Sequence, residues 1–473
     1  MIFLYLHSMT LKKQLGIFDL TMIIVSFVIG MGIFRTPANV AAVSATPLIF
    51  YLCWIAGGIV ALCGAMTYAE IGSRVPTTGG YYTIFAYAYH PSIAFAINCI
   101  ILVSNAASMA AVSLVGSEYI VGVLLPASKD LAYLAVPRNA AEVKAMQVTV
   151  AIVSIIIFYG INMLGLRTSS RTQNVLMLIK IGLVILLIMP LFFVTKDADL
   201  SARIATTAST TPTPLMEYIK GFGIGLMAAS FTYGGYQQTM NLGGEVKQPN
   251  RNIPRGIFAS IILIVTLYLL VNIAYVKVIG FEELKTSKNI AAIMASKIFG
   301  SNADIILSVL LFFGVLAYIN GSLLSNPRVM YAMGHDKVFP RSFTITNRFD
   351  ALKYPLTLFA AVGVLIVFWA EEFDRILSFT MFLDCFGMAL SAGTIFYFRK
   401  KTKHLDHTGI FKMKLFPLLP VIFIAAYVFI GVSIALDYKN NNHAALIGIT
   451  VLAVFMAIYY LFHRKKKKLS IDN

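Results

Sequence analysis

Apolar runs of about twenty residues, each closed by a short polar or basic cluster, recur along the whole chain, and a helix of that length crosses the hydrocarbon core of a bilayer. The pattern predicts about twelve spans. The first five run Ile17–Val43, Pro47–Ile71, Ser92–Leu124, Met146–Met163 and Gln173–Thr195. The next five run Glu217–Met240, Arg255–Ile279, Ala303–Met333, Pro355–Ala370 and Phe373–Phe398, and Leu415–Leu436 and His443–Phe462 close the series. Two spans are interrupted, the first at Ile29-Gly30-Met31-Gly32-Ile33-Phe34 and the sixth at Phe231-Thr232-Tyr233-Gly234-Gly235-Tyr236. A helix broken inside a membrane leaves NH and C=O groups unpaired, which is tolerated only where they line a cavity or meet a ligand. Broken spans at matching places in two halves of a chain point to a binding site near the bilayer midplane.

Span 6 lies five spans after span 1, an odd offset, so the two run in opposite directions. This predicts an inverted 5+5 repeat, 17–195 and 217–398, followed by two further spans at 415–462 and a basic tail at 463–473. Hydrophobic residues make up 58% of the chain and charged ones 12%, which places it among all-α polytopic membrane proteins. The net charge of +17 is read as topogenic rather than as a nucleic-acid footprint. Lys12, Lys13, Arg74, Arg167, Arg171, Lys247, Arg251, Arg255, Arg328, Lys337, Arg341, Arg399, Lys400, Lys401 and the run Arg464 to Lys468 all fall on one side of the predicted topology. Both termini are therefore expected in the cytoplasm, with the chain in the cell (inner) membrane. Met1 to Thr10 carry no basic n-region and no small-residue cleavage site, so the first span is expected to act as the targeting signal.

Cys53, Cys63, Cys99 and Cys385 sit in apolar segments without metal or disulfide spacing, and the seven histidines lie at span ends or in loops. No cofactor, metal or enzymatic constellation is expected from them. A channel would need polar repeats from several spans lining a pore, whereas the pair of broken spans favours a closed binding site.

The segments flanking the spans narrow the class. After span 2 comes Tyr68-Ala69-Glu70-Ile71-Gly72-Ser73-Arg74-Val75-Pro76-Thr77-Thr78-Gly79-Gly80-Tyr81-Tyr82, and after span 6 comes Gly244-Glu245-Val246-Lys247-Gln248-Pro249-Asn250-Arg251-Asn252-Ile253-Pro254-Arg255. With Asn320-Gly321 and Asn326-Pro327-Arg328-Val329-Met330-Tyr331-Ala332-Met333 in span 8, these resemble signatures of the amino acid, polyamine and organocation superfamily, most of all its L-type amino acid transporter branch. The likeness runs from about Leu15 to Arg399. It implies a fold similar to the bacterial leucine transporter, with spans 1, 2, 6 and 7 rocking against a scaffold of spans 3, 4, 8 and 9. It implies a free amino acid as substrate, neutral ones first, carried by exchange or with a proton. Cationic amino acids or polyamines, and a sensor that binds without transporting, are the alternatives on the same fold.

Span 1 runs outward, so its second half presents free NH groups near Gly32, Ile33 and Phe34 to a carboxylate. Carbonyls near Val28 and Ile29, and near Phe231 and Thr232 at the end of the first half of span 6, form the opposite pole for an ammonium group. Gly30, Met31, Gly32 and Gly234 complete this expected backbone site, which needs no charged side chain. Met31 departs from the small or hydroxyl residue that relatives place between the glycines. Phe231 resembles the family's aromatic gate, and the alternative is ordinary core packing. Lys180, read as about six residues or roughly 9 Å inside span 5, matches the lysine that stands where sodium-coupled members bind sodium, bridging spans 1 and 8; the alternative is snorkelling. Asp384 lies near the middle of span 10, where an acid is a functional candidate, either in structural hydrogen bonding, with Asn105 or Ser108 among the partners, or in a substrate or proton role. Asn105, Asn320 and Asp384 are therefore candidates for selectivity. Glu70, Arg74, Glu245, Arg251 and Arg328 are expected to form an inner gate of ion pairs or to remain solvated loop charges. The L-type carriers of mammals join a heavy chain through a cysteine between spans 3 and 4, and none occurs here between Leu124 and Lys144, so no covalent partner is expected.

Overall fold

The glycines of span 1 divide it into α1 (Ile17–Val28) and α2 (Gly32–Val43), whose axes meet at 42°. The structure is a computed structural model that describes residues 11–30, 32–127, 140–193, 215–287, 290, 293–294, 303–368, 373–405, 409–436 and 444–469. Met31, the loop acids Asp197, Asp199, Glu371 and Glu372, and residues 128–139 lie outside that set.

Span 2 becomes α3 (Pro47–Arg74), started by a Thr46 side chain that accepts from the Ile49 NH and by Pro47 in the first turn, where a missing NH is harmless. A short helix that the hydropathy pattern did not mark, α4 (Gly80–Ala88), follows it. Spans 3 to 5 become α5 (Pro91–Ala127), α6 (Ala140–Met163) and α7 (Leu166–Ile188). Span 6 is α8 (Leu215–Thr232) and then not an α-helix but 3-10 turns over Tyr236–Asn241 and Gly243–Glu245. Spans 7 and 8 are α9 (Pro249–Val278) and α11 (Ala303–His335), separated by α10 (Phe281–Thr286). Spans 9 to 12 are α12 (Lys353–Val367), α13 (Phe373–Lys401), α14 (Leu418–Leu436) and α15 (Ala444–Leu469).

Each expected span thus has its helix. Among the described residues six of them, α3, α5, α6, α7, α9 and α11, are individually long and apolar enough to cross a membrane, and the α1–α2 pair makes a seventh. Polar first turns account for the shifted starts: α7 begins at Leu166 and takes in Arg167, Thr168, Ser169 and Arg171, ahead of the first apolar run.

The helices pack in two groups. α8 and α9 lie on α3, with α9 also against α1 and α8 against α2. α11 lies on α5 and α6, and α12 covers the same pair. α7 joins the groups by touching both α11 and α1, while α13 meets α3, α5, α14 and α15. The breaks of spans 1 and 6 face each other within the first group.

Candidate substrate site

Two points of contact bring the breaks together. A Cβ on Gly235, whose φ is +116°, would lie 2.7 Å from the Phe27 carbonyl oxygen, so only glycine permits this approach at this backbone angle. A Cβ on Gly32 would stand 3.0 Å from Thr232 Cγ2. The start of α2 and the end of α8 therefore form one continuous patch of unwound backbone.

At its positive end, α2 begins with the NH groups of Gly32, Ile33 and Phe34, which have no helical acceptor, and among the described residues none donates to a carbonyl outside the helix. At the opposite end the carbonyls are not all vacant. Val28 accepts from the Gly30 NH at 2.7 Å and from the Tyr268 hydroxyl of α9 at 2.8 Å, and the same hydroxyl lies 3.5 Å from the Thr232 carbonyl. Phe231 accepts from the Gly234 NH at 3.0 Å, and the Ile29 carbonyl receives no such bond among the described residues. Tyr268 was not foreseen. Its ring is held edge-on to Trp54 (6.0 Å) and tilted on Tyr233 (5.1 Å), so its hydroxyl is fixed where the carbonyls of two broken helices converge.

Phe231 is 43% exposed although it ends an α-helix at the level of the breaks, so it is not ordinary core packing. On the same side of the breaks, α2 shows an exposed polar stripe of Arg35 and Asn39, and Glu118 of α5 is exposed within electrostatic range of Arg35. Opposite charges on the two packing groups are thus within range of each other. Neither had been singled out from the sequence, where each stands alone in an apolar stretch.

Two clusters of ion pairs lie below the breaks. Glu245 forms a two-pronged ion pair with Arg328 of α11, through Nε and through NH2 at 2.8 Å. The Glu70 carboxylate accepts from Arg74 Nε at 2.9 Å, Arg399 Nε at 2.8 Å, Arg399 NH2 at 2.7 Å and the Met413 NH at 2.9 Å. Arg251 is exposed and takes part in neither cluster. Arg399, which had counted only as topogenic charge, is the cation that locks Glu70 to α13.

Of the three selectivity candidates, two are committed elsewhere. Asn320 accepts from Asn162 at 2.8 Å and donates to the Ser169 carbonyl at 3.1 Å and Gln173 Oε1 at 2.5 Å, which uses its amide between α6, α7 and α11. Asn105 donates to Asn326 at 2.6 Å, so it pairs α5 with α11 and is not the partner of Asp384. Asp384 remains partly accessible. Lys180 lies fourteen residues past the start of α7, about 21 Å along it and not 9 Å. It is 1% exposed, too deep to snorkel, and among the described residues its Nζ has no hydrogen-bond partner. Its stem runs against Gly314 of α11, where a Cβ would be 3.3 Å from Cε.

The amino acid permease family model matches residues 15–462. The chain belongs to the amino acid permease family. The match extends the likeness past Arg399 into the last two spans, and the fold accords with the family's roughly twelve membrane helices. Similar proteins include the serine/threonine exchanger SteT of Bacillus subtilis (strain 168), 24% identical over 97% of this chain and 98% of its own. The large neutral amino acids transporter small subunit 2 of Homo sapiens is 24% identical over 96% of this permease and 81% of its own length. The human cystine/glutamate transporter is 24% identical over 96% and 86%. The family and these relatives are transporters, not enzymes, and this permease is a multi-pass membrane protein.

Proposed function

We propose that this permease is a sodium-independent secondary transporter that moves a free amino acid by alternating access, as an exchanger or with a proton. The observation that carries the reading is the junction of the two breaks, with unpaired NH groups at the head of α2 and convergent carbonyls at Val28 and Thr232. Such a patch matches both poles of an α-amino acid with backbone alone. The Gly30–Phe34 end takes the carboxylate. The Ile29 carbonyl, with those of Val28 and Thr232 once they exchange the Tyr268 hydroxyl for the substrate, takes the ammonium. Phe231 at the mouth covers the bound molecule.

The first packing group is the moving bundle and the second the scaffold. Glu245–Arg328 joins them and is the gate that opens toward the cytoplasm, where both termini lie. Lys180, a buried amine of α7 packed against α11, stands where sodium-coupled members of the same fold bind their sodium ion. With no cysteine between Leu124 and Lys144, the permease acts without a covalently attached heavy chain. The backbone end is indifferent to the side chain, so the choice between the neutral class of the L-type likeness and its cationic alternative falls to the rest of the cavity.

The test is uptake of labelled amino acids into sodium-free vesicles carrying the purified permease, preloaded with unlabelled amino acids or with buffer. Accumulation in preloaded vesicles is expected, and its restriction to them marks an exchanger. Binding without flux in either preparation, with and without a proton gradient, overturns transport in favour of a sensor.

A further inference from the structure

The turn between α6 and α7 and the segment that leads into α12 meet in an open pocket of about 430 Å³, lined by Met163, Leu164, Asn347, Arg348, Phe349 and Lys353. Its floor is tied down. Asn347 donates to the Met163 carbonyl at 2.8 Å, and its Oδ1 accepts from the Phe349 and Ala351 NH groups at 2.8 and 3.0 Å. Gly165 has a φ of +98°, and a Cβ there would lie 2.5 Å from the Phe349 carbonyl oxygen, so the segment sits directly on the turn. Arg348, Phe349 and Lys353 are left exposed. Asp350, the one acid between Pro340 and Lys353, is taken by Lys12 at 2.6 Å. Among the described residues Arg348 and Lys353 have no acidic partner, and their cations lie over neighbouring rings, 4.7 Å from Phe349 and 5.4 Å from Tyr354. Away from the pocket the surface turns apolar. α6 and α12 pack together, with the Tyr159 hydroxyl 2.9 Å from that of Thr357, and Ile156 and Ile157 of α6 and Leu358 and Leu365 of α12 are exposed. Leu365 stands about 18 Å along α12 from Lys353, roughly the depth of one leaflet.

We infer that this pocket binds an anionic phospholipid, with the Arg348 guanidinium and the Lys353 ammonium on its phosphate and its acyl chains along the exposed faces of α6 and α12. A planar guanidinium takes two phosphate oxygens and an ammonium a third. Basic pockets at the ends of membrane helices recruit negative headgroups in this way. A soluble phosphate could meet the same two cations, but it would leave Leu164 and Phe349 bare, whereas a lipid covers them and carries the contact down the apolar faces. Arg167 and Arg171, exposed on the first turns of α7, add positive charge at the same end of the bundle. The site stands apart from the breaks, so it holds whatever the permease carries.

Thermal unfolding of the purified permease in neutral detergent, titrated with phosphatidylglycerol or with phosphatidylcholine, tests the site without recourse to transport. Phosphatidylglycerol is expected to raise the Tm by about 5 °C and phosphatidylcholine by much less. The double variant Arg348→Gln, Lys353→Gln loses most of that rise, and native mass spectrometry finds it holding one phosphatidylglycerol fewer than wild type. Lys400→Gln with Lys401→Gln removes the same charge from the end of α13 and keeps the rise. Equal rises with the two lipids in wild type overturn the site even if the double variant fails to fold. An undiminished rise in the double variant overturns it as well, and so does an equal loss in the α13 variant, which would mark diffuse attraction to a basic face. Glycerol 3-phosphate producing the full rise by itself would give the pocket to a soluble phosphate and remove the lipid.

Discussion

Phe231 and Tyr268 show how single residues divide the work of the break. Because Phe231 is 43% exposed, cutting it to alanine forfeits little packing, and stability is expected to stay within about 0.5 kcal/mol. Transport, by contrast, is expected to vanish at unchanged expression, and uptake by Phe231→Ala within twofold of wild type rules out the cover role. Tyr268 is fully buried, and Tyr268→Phe takes the hydroxyl from two convergent carbonyls, a loss of about 1 kcal/mol seen as a lower Tm. A substrate ammonium fills the same carbonyls, so saturating substrate is expected to raise the Tm of Tyr268→Phe by more than it raises that of wild type. An equal rise in both would place the ammonium elsewhere. Phe231 was legible in the sequence because it adjoins a glycine pair. Tyr268 was not, since its partners are carbonyls 240 and 36 residues away that carry no side-chain signature.

Among elements, the two buried charge clusters have opposite tasks, and the helices they join decide which. Glu245–Arg328 ties the turn after α8 to α11, across the two packing groups, and in the proposed cycle it parts when the cytoplasmic side opens. Glu70 ties α3 to α13 and to the segment before α14, where the Phe411 NH also donates to Ser73 Oγ at 2.9 Å and the Phe411 ring packs on Phe258 of α9 at 5.3 Å. The proposed cycle leaves this second cluster intact, holding α13 to the bundle. Glu245→Gln is therefore expected to accelerate hydrogen exchange over residues 240–247 at least tenfold with a modest loss of Tm. Glu70→Gln takes the carboxylate from two guanidinium groups, the fully buried Arg74 and the 20% exposed Arg399, at a loss of about 3 kcal/mol. Equal exchange in the two variants would contradict the division. The acids and Arg328 could be picked out from the sequence as gate candidates, because they punctuate span ends. Their pairing could not, because Arg399 lies 329 residues from Glu70 and reads there as one of three consecutive basic residues. The second half of span 6 was misjudged for a related reason. Its length suits a helix, but Thr77 to Gly80 lie so close to it, with the Gly79 NH on the Asn241 carbonyl at 2.8 Å, that the chain takes 3-10 turns.

Alternating access asks of the whole molecule that two rigid groups move about the breaks while one joint between them holds, and α7 is the element placed at that joint. It touches α11 in the second packing group and α1 in the first, and Lys180 packs against Gly314 with an amine that finds no hydrogen-bond partner among the described residues. Where the amine is charged it repels a cation 4 Å away by about 4 kcal/mol at an effective dielectric of 20, enough to empty a sodium site by itself. Uptake is thus expected to stay within twofold when potassium replaces sodium on both sides of the vesicle. Lys180→Met keeps the stem that packs on Gly314 and removes the unpaired group. Burial of an uncompensated polar atom is unfavourable, so the variant's Tm is expected to equal or exceed that of wild type while uptake falls at least tenfold. A strut that merely packed would give the reverse, preserved uptake with the stem intact. Should Lys180→Met transport normally, the amine has no part in coupling, and the sodium independence would have to come from the absence of oxygen ligands around it.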